Sequence, residues 1–136
     1  MIDPDIPAES MYREHILDHY THPRNYGEIK NASTAFSGRN PLCGDEVKIE
    51  LKIEKGRIVD VGFVGGGCAI SKASASLITE GIKGKTIEEV KKMKKEDVLK
   101  LLEIPISPVR LKCALLSFKV LENAITAYEK KRDEHG

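Results

Sequence analysis

Three cysteines are the residues of this chain best suited to chemistry, because thiolates bind soft metals and carry sulfur. They lie far apart in the sequence, at Cys43, Cys68 and Cys113. Cys43 lies in a polar turn two residues before Asp45, and residues two apart in a turned or extended segment can face the same way. Three thiols and one carboxylate would complete a tetrahedral metal site. These four residues are therefore the candidate ligands.

The sequence around the second and third cysteines favours the charged thiolate. Cys68 precedes one predicted helix and Cys113 lies near the start of another, and the free N–H groups and dipole of a helix N-terminus favour anions. Three glycines before Cys68 remove side-chain bulk and allow the backbone to approach a ligand or partner closely. Lys112 could place an ammonium beside the site, although a lysine near a helix start is more often simply solvated.

The residue types leave the bound species and some roles open. Three sulfurs and one oxygen suit zinc, and they also suit an iron–sulfur cluster whose weak carboxylate ligand lets it leave. Cys113 falls on an apolar stripe and is equally consistent with a core thiol, and Asp45 alone is more typical of a turn. His15, His19 and His22 have the spacing of a metal-binding helix face, but without a nearby acidic motif we expect surface and interface histidines.

Length, net charge and cysteine count indicate a single domain that does not bind nucleic acid or span a membrane. The 136 residues fit one domain, which we place at residues 10–136 behind a flexible tail at residues 1–9. A net charge of +1 gives no support to binding of nucleic acid or of an anionic membrane. No apolar run is long enough to span a membrane, and the N-terminus lacks the pattern of a signal peptide. An odd number of cysteines without such a signal indicates a reducing compartment, which we expect to be the cytoplasm.

The hydrophobic pattern predicts an α+β domain, with a half-buried antiparallel hairpin followed by a run of helices. The capping residues Ser10 and Thr86 mark two helix starts, and Gly81 marks a helix end. The predicted helices are residues 9–22, 69–80, a short one opened by 86–89, 95–102 and 109–131, and the predicted strands are residues 31–38, 47–54 and 57–64.

Four segments resemble the IscU/SufU/NifU family of iron–sulfur cluster assembly proteins, in family order: Tyr12–Gly27, Asn40–Asp45, Gly66–Ser76 and Pro108–Cys113. The resemblance implies a compact α+β fold in which a three-stranded antiparallel sheet packs against helices. It implies that Cys43, Asp45, Cys68 and Cys113 surround one exposed site. It also implies a scaffold rather than an enzyme: sulfur arrives as a persulfide from a cysteine desulfurase, a [2Fe–2S] cluster forms with iron, and the cluster passes to recipient apo-proteins. The oligomeric state is expected to be a monomer or a cluster-bridged dimer.

The chain mixes features of two branches of that family. Lys112 replaces the histidine that the IscU branch has before its last cysteine and matches the SufU branch, whose zinc-bound relative accepts sulfur as a sulfurtransferase. Residues 106–110 depart from the stretch that a chaperone reads in the IscU branch. The spacing of 45 residues between Cys68 and Cys113 is close to that of the IscU branch. A zinc-dependent sulfurtransferase, with Cys113, Cys68 or Cys43 as the sulfur acceptor, is therefore the alternative to the scaffold, and a purely structural zinc module is a third hypothesis.

Overall fold

A computed structural model describes residues 7–41, 44–103 and 108–135 of the chain. Over these residues it contains three strands and five helices, which confirms the predicted α+β class. In chain order they are α1 (Pro7–Thr21), β1 (Thr34–Asn40), β2 (Asp45–Glu54), β3 (Arg57–Gly66), α2 (Ala69–Ile82), α3 (Ile87–Lys91), α4 (Lys95–Leu102) and α5 (Pro108–His135).

The three strands form one antiparallel sheet in the order β1-β2-β3. Strand β2 lies in the centre and alternates between buried and more exposed residues, as its period-two pattern predicts. The hairpin between β2 and β3 turns at Lys55 and Gly56, which both have positive φ, at 52° and 75°. A two-residue turn of this kind matches the twist of antiparallel strands.

Helices cover only one face of the sheet. Helix α5 packs on β1 and β2, α2 packs on β3 and on α5, and α1 packs against α2 and α4. The core between sheet and helices is built from aliphatic side chains and two buried phenylalanines, Phe63 and Phe118. Its fully buried members include Val47, Ile49, Leu51, Ile58, Phe63, Ile78, Ile82 and Leu121. The sheet therefore holds α2 and α5 side by side, and the N-terminal part of each lies near the start of β2.

Helices α1, α2 and α5 differ from the prediction at their ends, and α5 continues beyond the predicted residue 131 to His135. Helix α1 begins at Pro7 and places Ser10 inside the helix rather than at its cap, since proline is well suited to the first helical position. Helix α2 continues through Gly81 to Ile82, because burial of the Ile82 side chain outweighs the modest helix penalty of one glycine. The proposed division at residue 9 stays a prediction, since residues 1–6 lie outside the described residues.

The first strand is shifted relative to the prediction, and two later elements agree with it. Asn31 has a φ of 57°, which belongs to a turn, so β1 begins only at Thr34. Thr86 and Glu89 form the predicted capping box: Glu89 N donates to Thr86 Oγ1 at 3.1 Å, and Thr86 N donates to Glu89 Oε1 at 3.0 Å. Helix α4 covers the predicted residues 95–102.

Candidate metal centre

Asp45 opens β2 on the face that points towards the helices. Its neighbour across the β1–β2 pair is Asn40, and the alternation of the strand puts Asp45 on the same side as Val47. Its side chain is 0% exposed. A buried carboxylate requires hydrogen bonds or a cation, because an unpaired buried charge is very unfavourable.

The start of α2 supplies two of the hydrogen-bond contacts that the Asp45 carboxylate needs. Asp45 Oδ1 accepts the backbone N–H of Cys68 at 2.9 Å, and Asp45 Oδ2 lies 3.6 Å from Cys68 Sγ, as an S–H···O contact. The carboxylate thus fixes the position of Cys68 and at the same time keeps one oxygen next to the sulfur. Asp45 therefore lies in strand β2 beside Cys68, and not in a turn.

The glycines before Cys68 allow this close approach. A Cβ added to Gly67 would lie 2.1 Å from Asp45 Oδ1, and one added to Gly65 would lie 2.2 Å from the carbonyl oxygen of Glu46. No side chain fits at either distance. The sequence indicated that glycine permits close contact with a ligand or partner; in the structure these two contacts are with the start of β2 itself.

Cys68 is the N-cap of α2, as the sequence predicts. Its backbone is extended, and its Sγ accepts the backbone N–H of Ser71 at 3.4 Å, so the sulfur takes the place that a serine or aspartate oxygen usually has. The residue is half-buried. One side of the thiol therefore faces backbone donors, and another remains accessible.

Cys113 does not lie at the N-terminal end of its helix, contrary to what the expected effect of a helix start requires. Helix α5 begins at Pro108, so Cys113 is the sixth helical residue and lies beyond the turn that contains the free N–H groups. Of the two described cysteines, Cys68 alone lies at a helix start. Cys113 is 2% exposed and packs at the α2–α5 interface.

The fold brings Asp45, Cys68 and Cys113 together although they come from β2, α2 and α5. One carboxylate oxygen and the two sulfurs all lie within 4.8 Å of one another. Cys43, the fourth predicted ligand, lies outside the described residues. It is two residues before Asp45 in the chain, and its membership of the site stays a prediction.

The described donors suit a metal ion in their chemistry and lie close enough together to be candidates for one site. Around tetrahedral zinc, with metal–sulfur bonds of about 2.3 Å, neighbouring donor atoms are about 3.5–3.8 Å apart. The observed limit of 4.8 Å is wider, so binding of one ion would draw the donors together. Ligands on the two irons of a [2Fe–2S] cluster lie further apart, so a cluster would need the triangle to open or a fourth ligand to join it.

Lys112 precedes Cys113 in α5 but has different surroundings. Its side chain is exposed and lies on an open groove of about 830 Å³, together with Lys94, Lys95 and Lys119. Neighbouring residues of a helix point in directions about 100° apart, which explains why Cys113 is buried while Lys112 is not. A direct role of Lys112 at the site stays a prediction.

His15 and His19 lie in α1 and His22 directly follows it. His19 differs from the expected surface position. His19 is buried, and its Nδ1 lies 2.8 Å from Ser76 Oγ. His15 Nε2 lies 3.1 Å from the carbonyl oxygen of Leu101, and His22 is largely exposed beside Asp18. The three rings therefore do not form a metal-binding face.

Ser71 is the residue that the sequence did not single out. Its Oγ is fully buried, and it is the one buried side-chain oxygen or nitrogen without a hydrogen-bond partner in the described part of the chain. Such a group destabilises a folded protein by about 1–3 kcal/mol. No sequence signal marks it, because serine at the third position of a helix is common and only the packing shows that its hydroxyl lacks a partner.

Comparison with known proteins adds the family. Residues 11–135 match the sequence pattern described as the NifU-like N terminal domain. The chain belongs to this family. The resemblance seen in the four sequence segments is thereby confirmed, and so is the fold expected from it.

Curated relatives carry names from two branches of the family. The "Iron-sulfur cluster assembly enzyme IscU" of Drosophila melanogaster is 39% identical over 129 residues, covering 92% of this chain and 82% of the relative. The "Iron-sulfur cluster assembly scaffold protein IscU" of Escherichia coli K12 is 37% identical over 127 residues, covering 90% and 97%. The "Zinc-dependent sulfurtransferase SufU" of Bacillus subtilis is 37% identical over 138 residues, covering 89% and 93%.

Solved structures agree with the sheet and helices described above. A scaffold protein for the SUF system from Fervidobacterium islandicum superimposes with a TM-score of 0.71 at 34% identity, covering 87% of this chain and 98% of that chain. The N-terminal NifU-like protein of Brucella abortus has a TM-score of 0.74 at 24% identity and covers 90% and 97%. This second likeness supports the fold alone.

Membrane association has no support among the helices. None of those in the described ranges is both long and apolar enough to cross a bilayer.

Proposed function

We propose that this protein is a scaffold on which a [2Fe–2S] cluster is assembled and from which it is transferred to recipient apo-proteins. Sulfur comes from a cysteine desulfurase as a persulfide, and an electron donor, such as an external thiol that is oxidised to a disulfide, reduces it to sulfide. Iron and sulfide are then held by Cys43, Asp45, Cys68 and Cys113. The chain acts as a carrier, and its partner performs the carbon–sulfur cleavage. Thiols stay reduced in the cytoplasm, which is the compartment that this proposal assigns.

One observation carries the proposal: Asp45, Cys68 and Cys113 converge from three separate elements to within 4.8 Å. Relatives named as cluster assembly scaffolds over about nine tenths of this chain support it. Two soft sulfurs beside one hard carboxylate form a mixed donor set, which binds soft iron less strongly than a set of four thiolates. Such a set suits a cluster that must leave.

Accessibility suggests where sulfur enters. Cys68 is half-buried whereas Cys113 is almost completely buried. In this conformation a partner's persulfide reaches Cys68 more readily than Cys113. Cys68 is therefore the first sulfur acceptor among the two described cysteines, and Cys43 remains a candidate.

Anaerobic reconstitution tests the scaffold function. Incubation of the apo-protein with ferrous iron, cysteine and a cysteine desulfurase should give visible cluster absorption and about two irons per cluster site. The cluster should then move to an added apo-ferredoxin. Protein that forms no cluster under these conditions, and instead retains zinc tightly, contradicts the proposal.

A zinc-dependent sulfurtransferase is the second candidate function, and the compact donor triangle favours it. The described donors lie close enough together to be drawn onto one tetrahedral ion, and Lys112 matches the branch of the relative that bears this name. In that case zinc stays bound while a persulfide forms on one cysteine and passes on.

Kinetics with a cysteine desulfurase distinguishes the two functions. The sulfurtransferase predicts that the zinc-loaded protein raises desulfurase turnover several-fold, and that mass spectrometry finds one added sulfur on Cys43, Cys68 or Cys113. The scaffold predicts that iron is required and that zinc competes with cluster formation. Cluster formation that proceeds equally well with zinc saturating the site contradicts the assignment of one shared site.

A further inference from the structure

The unpartnered hydroxyl of Ser71 lies next to the candidate metal centre. Ser71 is 0% exposed, and its Oγ has no hydrogen-bond partner within the described ranges. Two other serines of α2 are equally buried but do have partners: Ser74 Oγ donates to the carbonyl oxygen of Ala114 at 2.6 Å, and Ser76 Oγ accepts from Arg24 N at 2.8 Å. A missing partner is therefore specific to Ser71 and does not reflect loose packing of the helix.

Its neighbours on α2 place Ser71 at the α2–α5 interface. Cys68, three residues before it, has its sulfur within 4.8 Å of the Cys113 sulfur, and Ser74, three residues after it, contacts Ala114. Residues three apart lie on the same side of a helix. Ser71 thus sits between these two contacts.

The direction of the side chain points to the site. The Cα–Cβ bonds of a helix tilt towards its N-terminus, which for Ser71 is the end where Cys68 lies. The backbone N–H of Ser71 already donates to Cys68 Sγ at 3.4 Å. Rotation about one side-chain bond moves the hydroxyl towards the same sulfur.

The charge state of that sulfur decides whether it can accept a second hydrogen bond. A protonated thiol is a weak acceptor, whereas a sulfur that binds a metal ion carries more negative charge and accepts strongly. We propose that Ser71 Oγ–H donates a hydrogen bond to Cys68 Sγ when the centre is loaded, and that Ser71 is a positioning residue for this ligand. The proposal rests on the proposed metal site and adds a residue behind it.

This role makes a prediction with opposite signs for the empty and the loaded protein. In the apo-protein, Ser71→Ala removes a hydroxyl without a partner and should leave stability unchanged or raised. In the loaded protein it removes a hydrogen bond to a ligand, and loss of such a residue typically weakens metal binding by about 10- to 100-fold.

Titrations of Zn²⁺ and Co²⁺ into the full-length apo-protein, with urea unfolding of the same samples, test the role. Ser74→Ala is the matched control, since it makes the same substitution one turn later on the same helix. Ser74→Ala should lower apo-protein stability and leave Zn²⁺ affinity unchanged. Ser71→Ala should leave apo-protein stability unchanged or raised and should lower Zn²⁺ affinity. In the cobalt-loaded Ser71→Ala protein, the sulfur-to-cobalt charge-transfer bands should shift to longer wavelength, because the thiolate has lost a hydrogen-bond donor.

The results separate this role from the proposed function. If the wild-type protein binds neither ion, the metal site fails and the role of Ser71 fails with it. If the wild type binds both ions and Ser71→Ala binds them with unchanged affinity and unshifted bands, only the role of Ser71 is overturned. A Ser71→Ala protein that is as destabilised as Ser74→Ala, or does not fold, shows a structural hydroxyl and also overturns the role.

Discussion

Helix α2 presents buried polar side chains to its neighbours at two places. In its second half, Ser76 Oγ meets both Arg24 N and His19 Nδ1 at 2.8 Å, and Thr79 Oγ1 donates to the carbonyl oxygen of Ser76 at 3.0 Å. At its N-terminal end, Cys68 and Ser71 face a cluster of donor atoms, and the Ser71 hydroxyl has no partner in the described structure. The first region joins α1 to α2 by satisfied hydrogen bonds, and in the second the Ser71 hydroxyl lacks one.

The difference shows how one helix serves both stability and function. A satisfied buried network rigidifies the fold, whereas unsatisfied buried groups lower stability unless a ligand completes them. We therefore expect the N-terminal end of α2 to act as a binding site whose position depends on the rigid second half. Four experiments test this difference between the two regions of α2.

The largest effect should follow from loss of a ligand in the N-terminal region. Cys113→Ser replaces a soft sulfur by a hard, neutral oxygen, and metal affinity should fall by more than the roughly 10- to 100-fold typical of residues behind the ligands. Metal content after anaerobic loading measures this. Ser117→Ala, one turn later in α5 and equally buried, is the control; equal metal content in both variants would show that Cys113 is a core thiol only.

Asp45 both accepts a hydrogen bond that stabilises the fold and is a candidate ligand. Two substitutions can separate these roles. Asp45→Asn keeps an oxygen that can accept the Cys68 N–H but loses the charge, whereas Asp45→Ala also loses the acceptor. Both variants should hold a cluster longer, because the weak carboxylate ligand no longer assists release. Only Asp45→Ala should also lower the free energy of unfolding, by about 1.5–3 kcal/mol.

Decay of cluster absorbance in the presence of a fixed excess of apo-acceptor gives the lifetime of the cluster, and urea unfolding gives the stability. A shorter lifetime in Asp45→Asn than in the wild type would argue against Asp45 as the residue that controls release.

A substitution at Gly67 tests whether the close contact between the start of α2 and Asp45 is needed. A Cβ there would lie 2.1 Å from Asp45 Oδ1, so Gly67→Ala must displace the carboxylate, with a loss of about 1–3 kcal/mol of stability and weaker Zn²⁺ binding. Gly81→Ala is the control, because open space surrounds Gly81 within α2; it should stabilise the helix by roughly 0.5–1 kcal/mol. Thermal unfolding and Zn²⁺ titration of both variants decide whether glycine is needed at Gly67.

At the second half of α2, the hydrogen-bonded network around His19 should make stability depend on pH. Burial lowers the pKa of His19, and the charges of Arg24 and His15 lower it further. Below an unfolded-state pKa of about 6.5, the unfolded chain takes up a proton that the folded protein refuses. Stability is therefore full above that value and falls as the pH drops towards the folded pKa, by no more than about 1.4 kcal/mol per pH unit for one proton.

Urea unfolding between about pH 7.5 and pH 5 measures the slope. His22→Ala removes an exposed histidine and should leave the dependence of stability on pH unchanged. His19→Gln should make that dependence weaker. An unchanged slope in His19→Gln would assign the pH dependence to another group.

The predictable parts of this molecule are those with local or periodic signals. The alternation of β2 and the capping box at Thr86 follow from neighbouring residues, and both appear as expected. The motifs around Cys68 and Cys113 indicated a shared site, and the two sulfurs do lie close together. What the sequence did not contain was the packing that decides burial.

Three details depended on that packing. His19 looks like a surface residue in sequence, but α2 covers it. Cys113 appeared to lie near a helix start, yet α5 starts at Pro108 and carries it one turn inward. The hydroxyl of Ser71 became notable only because its neighbours offer it no partner.

The distribution of the donors over β2, α2 and α5 has a consequence for the folding reaction. No local segment can form this centre, because its atoms meet only after the last long helix has docked on the first two strands. A bound ion then joins distant parts of the chain, and, as with a cross-link over a long loop, it restricts the unfolded ensemble and opposes unfolding. Metal loading thereby reports on completed folding, and a partner that recognises the loaded centre selects chains that have reached the native topology.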